Sequence, residues 1–192
     1  MRKMRFTPLA VVIMVGMALL ARADDHPTPN VDLVEAFIDA FYSFDPEPLG
    51  ELLEESGDTR DGMLFYQGWA QGGNYIVMKR RPCKQLDDGK VRCSITVQDD
   101  LVLALGIDFD VTDTFTLTIE DGAITTIDLS TDDPKLYHDA RHWVWSNRRD
   151  LVGEACDGDS GATPDPKLCV RNALEGYRAY AQLNGLTPRA PK

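Results

Sequence analysis

From Val91 to Leu129 apolar residues fall at every second position, and two Asp-Gly turns mark where the chain reverses. Val91, Cys93, Ile95 and Val97 share one parity, while Arg92, Ser94, Thr96 and Gln98 hold the other. Phe115, Leu117 and Ile119 repeat the pattern with Thr114, Thr116 and Thr118 between them. This is what an antiparallel sheet with one buried and one wet face requires. Leu86-Asp87-Asp88-Gly89-Lys90 and Ile119-Glu120-Asp121-Gly122-Ala123 fit three-residue hairpin loops, each with Gly at the left-handed last position. Four strands are expected: Tyr75 to Arg81, Val91 to Gln98, Phe109 to Ile119, and Ala123 to Leu129.

Helical spacing appears on both sides of this block. Asn30 is the expected N-cap of a first helix running to about Phe44, with Val34, Phe37, Ile38 and Phe41 on its apolar stripe. Asp45-Pro46 starts a short second helix through Leu49, Leu52 and Leu53, ended by Gly57. A third spans about Thr59 to Gln71 and is limited by its own glycines. Asp99-Asp100 caps a single helical turn that stops at Gly106. After Pro134, Leu136, Ala140, Trp143, Val144 and Leu151 mark one helix ending near Gly153. Asp165-Pro166 opens the last, with Val170, Ala173, Leu174, Tyr177 and Ala181 on its stripe. The fold class is therefore α+β: a curved four-stranded antiparallel meander covered by N-terminal helices, with two C-terminal helices.

The N-terminus reads as an address. A basic start, Met1 to Arg5, precedes a 12-residue apolar run from Leu9 to Leu20, and Ala21-Arg22-Ala23 fits a small-x-small cleavage site. The run is too short for a membrane span, which takes about 20 residues. The expected organisation is a signal peptide over 1–23, a flexible tail over 24–29, one domain over 30–185 and a flexible C-terminus over 186–192. The implied location is secreted or periplasmic, with no stable membrane anchor. Loss of the leader removes four of the 20 basic residues, leaving 16 against 31 acidic, a balance of −15. Such a surface repels phosphate backbones, so nucleic acid is not an expected partner.

Four cysteines in an exported chain favour two disulfides, with three connectivities possible. A hairpin that pairs Leu86 with Lys90 sets Cys83 opposite Cys93, which leaves Cys156 to bond Cys169. Pro82 lacks a ladder donor, so a bulge or an end of regular pairing is expected there.

Taken in order, these features resemble the SnoaL-like branch of the nuclear transport factor 2-like superfamily. The resemblance is carried by the helix pair around Val34 to Leu53, Asp88-Gly89-Lys90-Val91-Arg92-Cys93, and Asp99-Asp100-Leu101 with Ala104-Leu105-Gly106. Phe115-Thr116-Leu117-Thr118-Ile119-Glu120-Asp121-Gly122, running into Ile124-Thr125, completes it. It covers roughly Asn30 to Leu129 and implies a sheet curled into a cone around an apolar cavity, roofed by the N-terminal helices. Such folds host isomerases, cyclases, dehydratases and epoxide hydrolases, many domains with no reaction, and dimers formed through the sheet face. Their enzymes use a buried carboxylate with Tyr, His or Trp partners. The candidates for that role are Asp39 as base, Tyr42 as acid partner, Tyr66 as donor and Trp69 as wall. Asp110 and Asp113 lie near the start of the third strand, where solvent is the expected environment.

Tyr42, Tyr66, Trp69, Phe115 and Trp143 are the candidate pocket residues, since amphipathic aromatics suit ligands as well as cores. No metal site and no cofactor is expected. His138 and His142 are four apart on a helix, but no Glu follows His138. Gly158-Asp159-Ser160-Gly161 echoes a protease nucleophile segment without its context. Asp157-x-Asp159-x-Gly161 starts like a calcium loop, yet Leu168 stands where a bidentate Glu belongs. The leading expectation is a non-catalytic exported domain that binds a small apolar ligand or a protein partner. The rival is a proton-transfer enzyme acting on a hydrophobic cyclic substrate, and an acidic immunity or inhibitor protein is a third class.

Overall fold

Pairing along Val91–Gln98 sets the frame of the molecule. The computed structural model describes residues 28–191 apart from 87, 160 and 162, so the leader, Asp87 and Ser160 lie outside the described residues. The helices before the sheet are α1 (Pro29–Ser43), α2 (Pro46–Leu52) and α3 (Asp58–Gly72). The strands are β1 (Ile76–Arg80), β2 (Lys84–Gln85), β3 (Val91–Gln98), β4 (Val111–Glu120) and β5 (Ala123–Thr131), with α4 (Asp100–Ala104) between β3 and β4. Then come α5 (Lys135–Asn147), α6 (Arg149–Val152), a π-helical turn over Gly153–Asp157, and α7 (Pro166–Leu183). This is an α+β fold with seven α-helices among the described residues and an open antiparallel sheet of five strands. The sheet order is β1-β3-β4-β5, with β2 also paired to β3.

The strand expected over Tyr75 to Arg81 is β1, and a short second strand, β2, follows it. The sheet register slips between Val77 and Lys79, pairing continues to Arg80 opposite Ile95, and after a gap it resumes at Lys84, opposite Arg92. Pro82 falls in the gap, where its missing N–H costs the ladder nothing. Leu86 N–H donates to the Lys90 carbonyl at 2.7 Å. Cys83 and Cys93 are bonded with Cα atoms 4.4 Å apart, the spacing of a non-hydrogen-bonded pair. Cys156 is bonded to Cys169.

Three boundaries differ from expectation. Thr28, not Asn30, caps α1, because Pro29 takes the first helical position and needs no donor partner. The β4–β5 turn is a two-residue loop, with Glu120 opposite Ala123. Asp121 and Gly122 both have positive φ, 51° and 82°, the type I′ geometry that matches strand twist. A register shift between Thr118 and Ile119 absorbs the residue this gains. The single helix expected to run to Gly153 breaks at Arg148, where φ −128° and ψ 45° leave helical space.

Two apolar clusters result. The first packs α1, α2 and α3 on the sheet through Phe37, Phe41, Leu49, Ile95, Phe115 and Leu117. The second gathers α4, α5, α7 and the start of β4 around Leu101, Leu105, Val111, Val144 and Tyr177. Gly68 and Gly72 of α3 serve this arrangement. A Cβ at Gly72 would stand 2.5 Å from Val170 and 2.8 Å from the Lys167 carbonyl oxygen, so the missing side chain lets α7 close on α3. The C-terminal residues follow that packing, with Arg189 donating its N–H to the Leu103 carbonyl and its guanidinium to Asp108 and Asp110.

Candidate functional site

The inward parity of β4 carries one carboxylate. Val111, Asp113, Phe115 and Leu117 alternate inward, and Asp113 is 0 % exposed. This corrects the solvent environment expected for it. Asp113 continues the parity of Phe115 and Leu117 two residues toward the start of the strand, and two phenols make burial tolerable. Tyr42 from α1 donates to one Asp113 oxygen at 2.8 Å, and Tyr66 from α3 donates to the other at 2.9 Å. A buried carboxylate needs such donors, since an unsatisfied one loses several kcal/mol of hydration.

Burial raises the Asp113 carboxyl to about 6; the two phenols pull it down, and the nearby carboxylates Asp133 and Asp132 push it up. Tyr42 and Tyr66 are both raised, first by burial and then by the Asp113 charge. Tyr75 packs edge-on to Tyr66 with ring centres 6.3 Å apart. A second buried carboxylate, Asp99, accepts from the Leu101 and Val102 N–H groups at 2.8 Å each and so caps α4. Burial lifts it to about 7 against the pull of those two donors.

Beside Asp113 opens a cavity of about 320 Å³, in the size range of small-ligand sites. It lies where the two apolar clusters meet. Tyr66 and Trp69 of α3 form one wall, Tyr137 and Trp145 of α5 another, and the Cys156–Cys169 bridge closes a third. Trp69 and Trp145 face each other with ring centres 6.4 Å apart, tilted by 37°. Arg141 stands at the exposed rim with its guanidinium carbon 5.4 Å from the Trp145 ring centre.

The sequence candidates separate accordingly. Tyr66 and Trp69 line the cavity, and Tyr42 holds Asp113 from the core side. Phe115 lies in the first cluster, edge-on to Phe37 at 5.6 Å and Phe41 at 5.3 Å. Trp143 packs on Tyr180 outside the cavity wall. Asp39 does not line the cavity: its side chain is 69 % exposed and paired with Arg80, which also holds Glu35. Asp110 accepts from Gln98 and Arg189. His138 and His142 are exposed on α5, and Arg149 pairs with both Asp157 and Asp159. Among the described residues no group of three or more His, Cys, Asp or Glu side chains is placed to hold a metal ion.

Sequence reasoning missed Asp113, Tyr75, Tyr137 and Trp145. The strand parity was a signal for Asp113; nothing local marked the others, which meet only through the packing of α5 on the end of the sheet. Comparison with protein-family models, with curated proteins and with solved structures found no match. What the fold and site define is thus an α+β protein with two disulfides and an aromatic-walled cavity beside a buried Asp. Among the described residues no helix is long and apolar enough to cross a membrane.

Proposed function

We propose that this chain is an exported, SnoaL-like domain that binds a small, largely apolar molecule in the cavity beside Asp113. In this reading the sheet curls as a cone, its strands run as a meander, and the leader directs the chain to the periplasm or the medium. The carrying observation is the cavity itself: aromatic rings on opposing walls, one buried hydrogen-bonding carboxylate, and a volume that suits a one- or two-ring ligand. Two disulfides are in keeping with an oxidising compartment. Titration with N-phenyl-1-naphthylamine, an uncharged fluorophore, tests the reading. Saturable binding with energy transfer from tryptophan is expected, and transfer weakens when Trp69 and Trp145 are both changed to Phe. A linear, non-saturating response would remove the cavity as a ligand site.

A specific observation supports a second reading, the proton-transfer enzyme. A carboxyl raised to about 6 and lying between two phenols is suited to take a proton near neutral pH and return it. Asp113 replaces Asp39 in the role of base, with Tyr66 as the donor facing the cavity. Deuterium uptake next to the carbonyl of a cyclic enone in D2O, followed by NMR, is the assay. Exchange at the buffer rate, or unchanged exchange in Asp113→Asn, would end this reading.

Self-association through the sheet is a further part of the proposal. The outward face presents Ser94, Thr96, Thr112 and Thr114, and the edge strand β1 leaves Ile76, Val77 and Met78 exposed. Sedimentation velocity would show a dimer that Val77→Lys disperses; a monomer at every concentration would oppose it.

A further inference from the structure

We propose that the ligand of this cavity is a small organic cation with an apolar body, an alkylated or protonated amine, held with its charge toward Asp113 and Asp133 among the aromatic rings. The inference rests on the reading of the cavity as a small-molecule site and adds the chemistry of the occupant.

The charged lining of the cavity is three carboxylates, Asp113, Asp133 and Asp157, against one guanidinium, Arg141. Asp157 is already paired with Arg149. Asp133 accepts from the Thr131 hydroxyl, and Asp113 accepts from Tyr42 and Tyr66. Hydroxyl donors bond both carboxylates, and neither has a salt-bridge partner among the described residues; Asp113 is fully buried and Asp133 partly so. A charge taken out of water without an opposite partner is unfavourable, and a cation delivered by a ligand supplies that partner.

The rings point the same way. Trp69, Tyr75, Tyr137 and Trp145 line the same space, and a cation within about 6 Å of such a ring is attracted by its quadrupole. The rim already shows this chemistry, because Arg141 places its guanidinium over Trp145. An exposed rim cation over one ring leaves the deeper rings and Asp113 to the ligand. A neutral ligand would use the rings and ignore the carboxylates. An anionic ligand would use Arg141 and be repelled by Asp113 and Asp133.

Three probes of similar body separate these cases: phenyltrimethylammonium, its uncharged isostere tert-butylbenzene, and phenylacetate. Binding is followed by tryptophan fluorescence and by calorimetry on the disulfide-bonded chain. Phenyltrimethylammonium is expected to bind about tenfold more tightly than tert-butylbenzene, the scale of a partly desolvated cation–π and ion-pair contribution. That preference should shrink toward unity in Asp113→Asn. Asp133→Asn, which leaves the buried phenol–carboxylate cluster intact, should lower it on its own and covers the case in which Asp113→Asn does not fold. Equal binding of the cation and its isostere would overturn the cation assignment while leaving the cavity reading in place. Tighter binding of phenylacetate would overturn it in favour of Arg141. Failure of all three probes to bind would overturn the cavity reading together with this inference.

Discussion

Asp113→Asn should flatten the pH dependence of folding stability. The Asp113 carboxyl is raised from 3.8 to about 6, chiefly by burial. In the window between those values the folded chain holds a proton that the unfolded chain has released. Its contribution is fully present below pH 3.8 and is lost as pH rises through about 6. At roughly 1.4 kcal/mol per pH unit, the loss between pH 4 and pH 7.5 is about 2 to 3 kcal/mol. The substituted amide cannot ionise, and it can both accept from one phenol and donate to the other, so the variant should lack this slope. Asp99, raised to about 7 chiefly by burial, adds a slope of the same sign; the Asp113 charge is only the smallest cause of that shift, so most of the slope is common to both proteins and drops out of their difference. The assay is urea unfolding followed by tryptophan fluorescence at half-unit steps from pH 4 to pH 8. The difference in unfolding free energy, wild type minus variant, should fall by about 2 to 3 kcal/mol across that range. Parallel curves would refute the claim that Asp113 is buried with a raised pKa. A difference that grew with pH would show that the phenols outweigh burial and that the sign is reversed.

Other perturbations test the frame that holds the site. Phe115→Ala, which empties a fully buried position against Phe37 and Phe41, should cost about 3 to 5 kcal/mol in chemical denaturation. Replacing Cys83 and Cys93 together by Ser should lower stability by about 3 kcal/mol and leave far-UV circular dichroism unchanged, because the constraint acts mainly on the unfolded chain. Gly72→Ala should destabilise by about 1 to 3 kcal/mol, although Ala is the better helix former, since its Cβ would meet Val170 and the Lys167 carbonyl. A neutral or stabilising result, read from thermal melts, would show that α7 does not press on α3 at that point.

Alternation, turn chemistry and helical spacing act over a few residues, so the sequence by itself determined where strands and helices lie. It also paired the cysteines, because the count from Leu86 and Lys90 outward fixes which residues face each other. Asp45, Asp99 and Asp165 each cap a helix as their spacing to the next apolar run demands. Where local signals competed, the sequence was less decisive. Asn30 has the chemistry of a cap, but Pro29 before it takes the first helical position and so puts the cap at Thr28. Glu120-Asp121-Gly122 reads as a three-residue loop, and the two-residue loop that forms instead rests on how β4 and β5 pair along their whole length. The break of the helix at Arg148 has no local breaker residue.

Tertiary structure alone decided the site. The parity that buries Phe115 also buries Asp113, but whether an inward Asp is tolerated depends on donors that arrive from 71 and 47 residues away, Tyr42 and Tyr66. The glycines of α3 looked like limits on a helix, and two of them, Gly68 and Gly72, are the surface on which α7 closes. The cavity exists because α5 and the Cys156–Cys169 segment meet the open end of the sheet beside α3. Burial and charge are properties of that meeting, since solvent exclusion requires atoms from every side and no single stretch of chain supplies them.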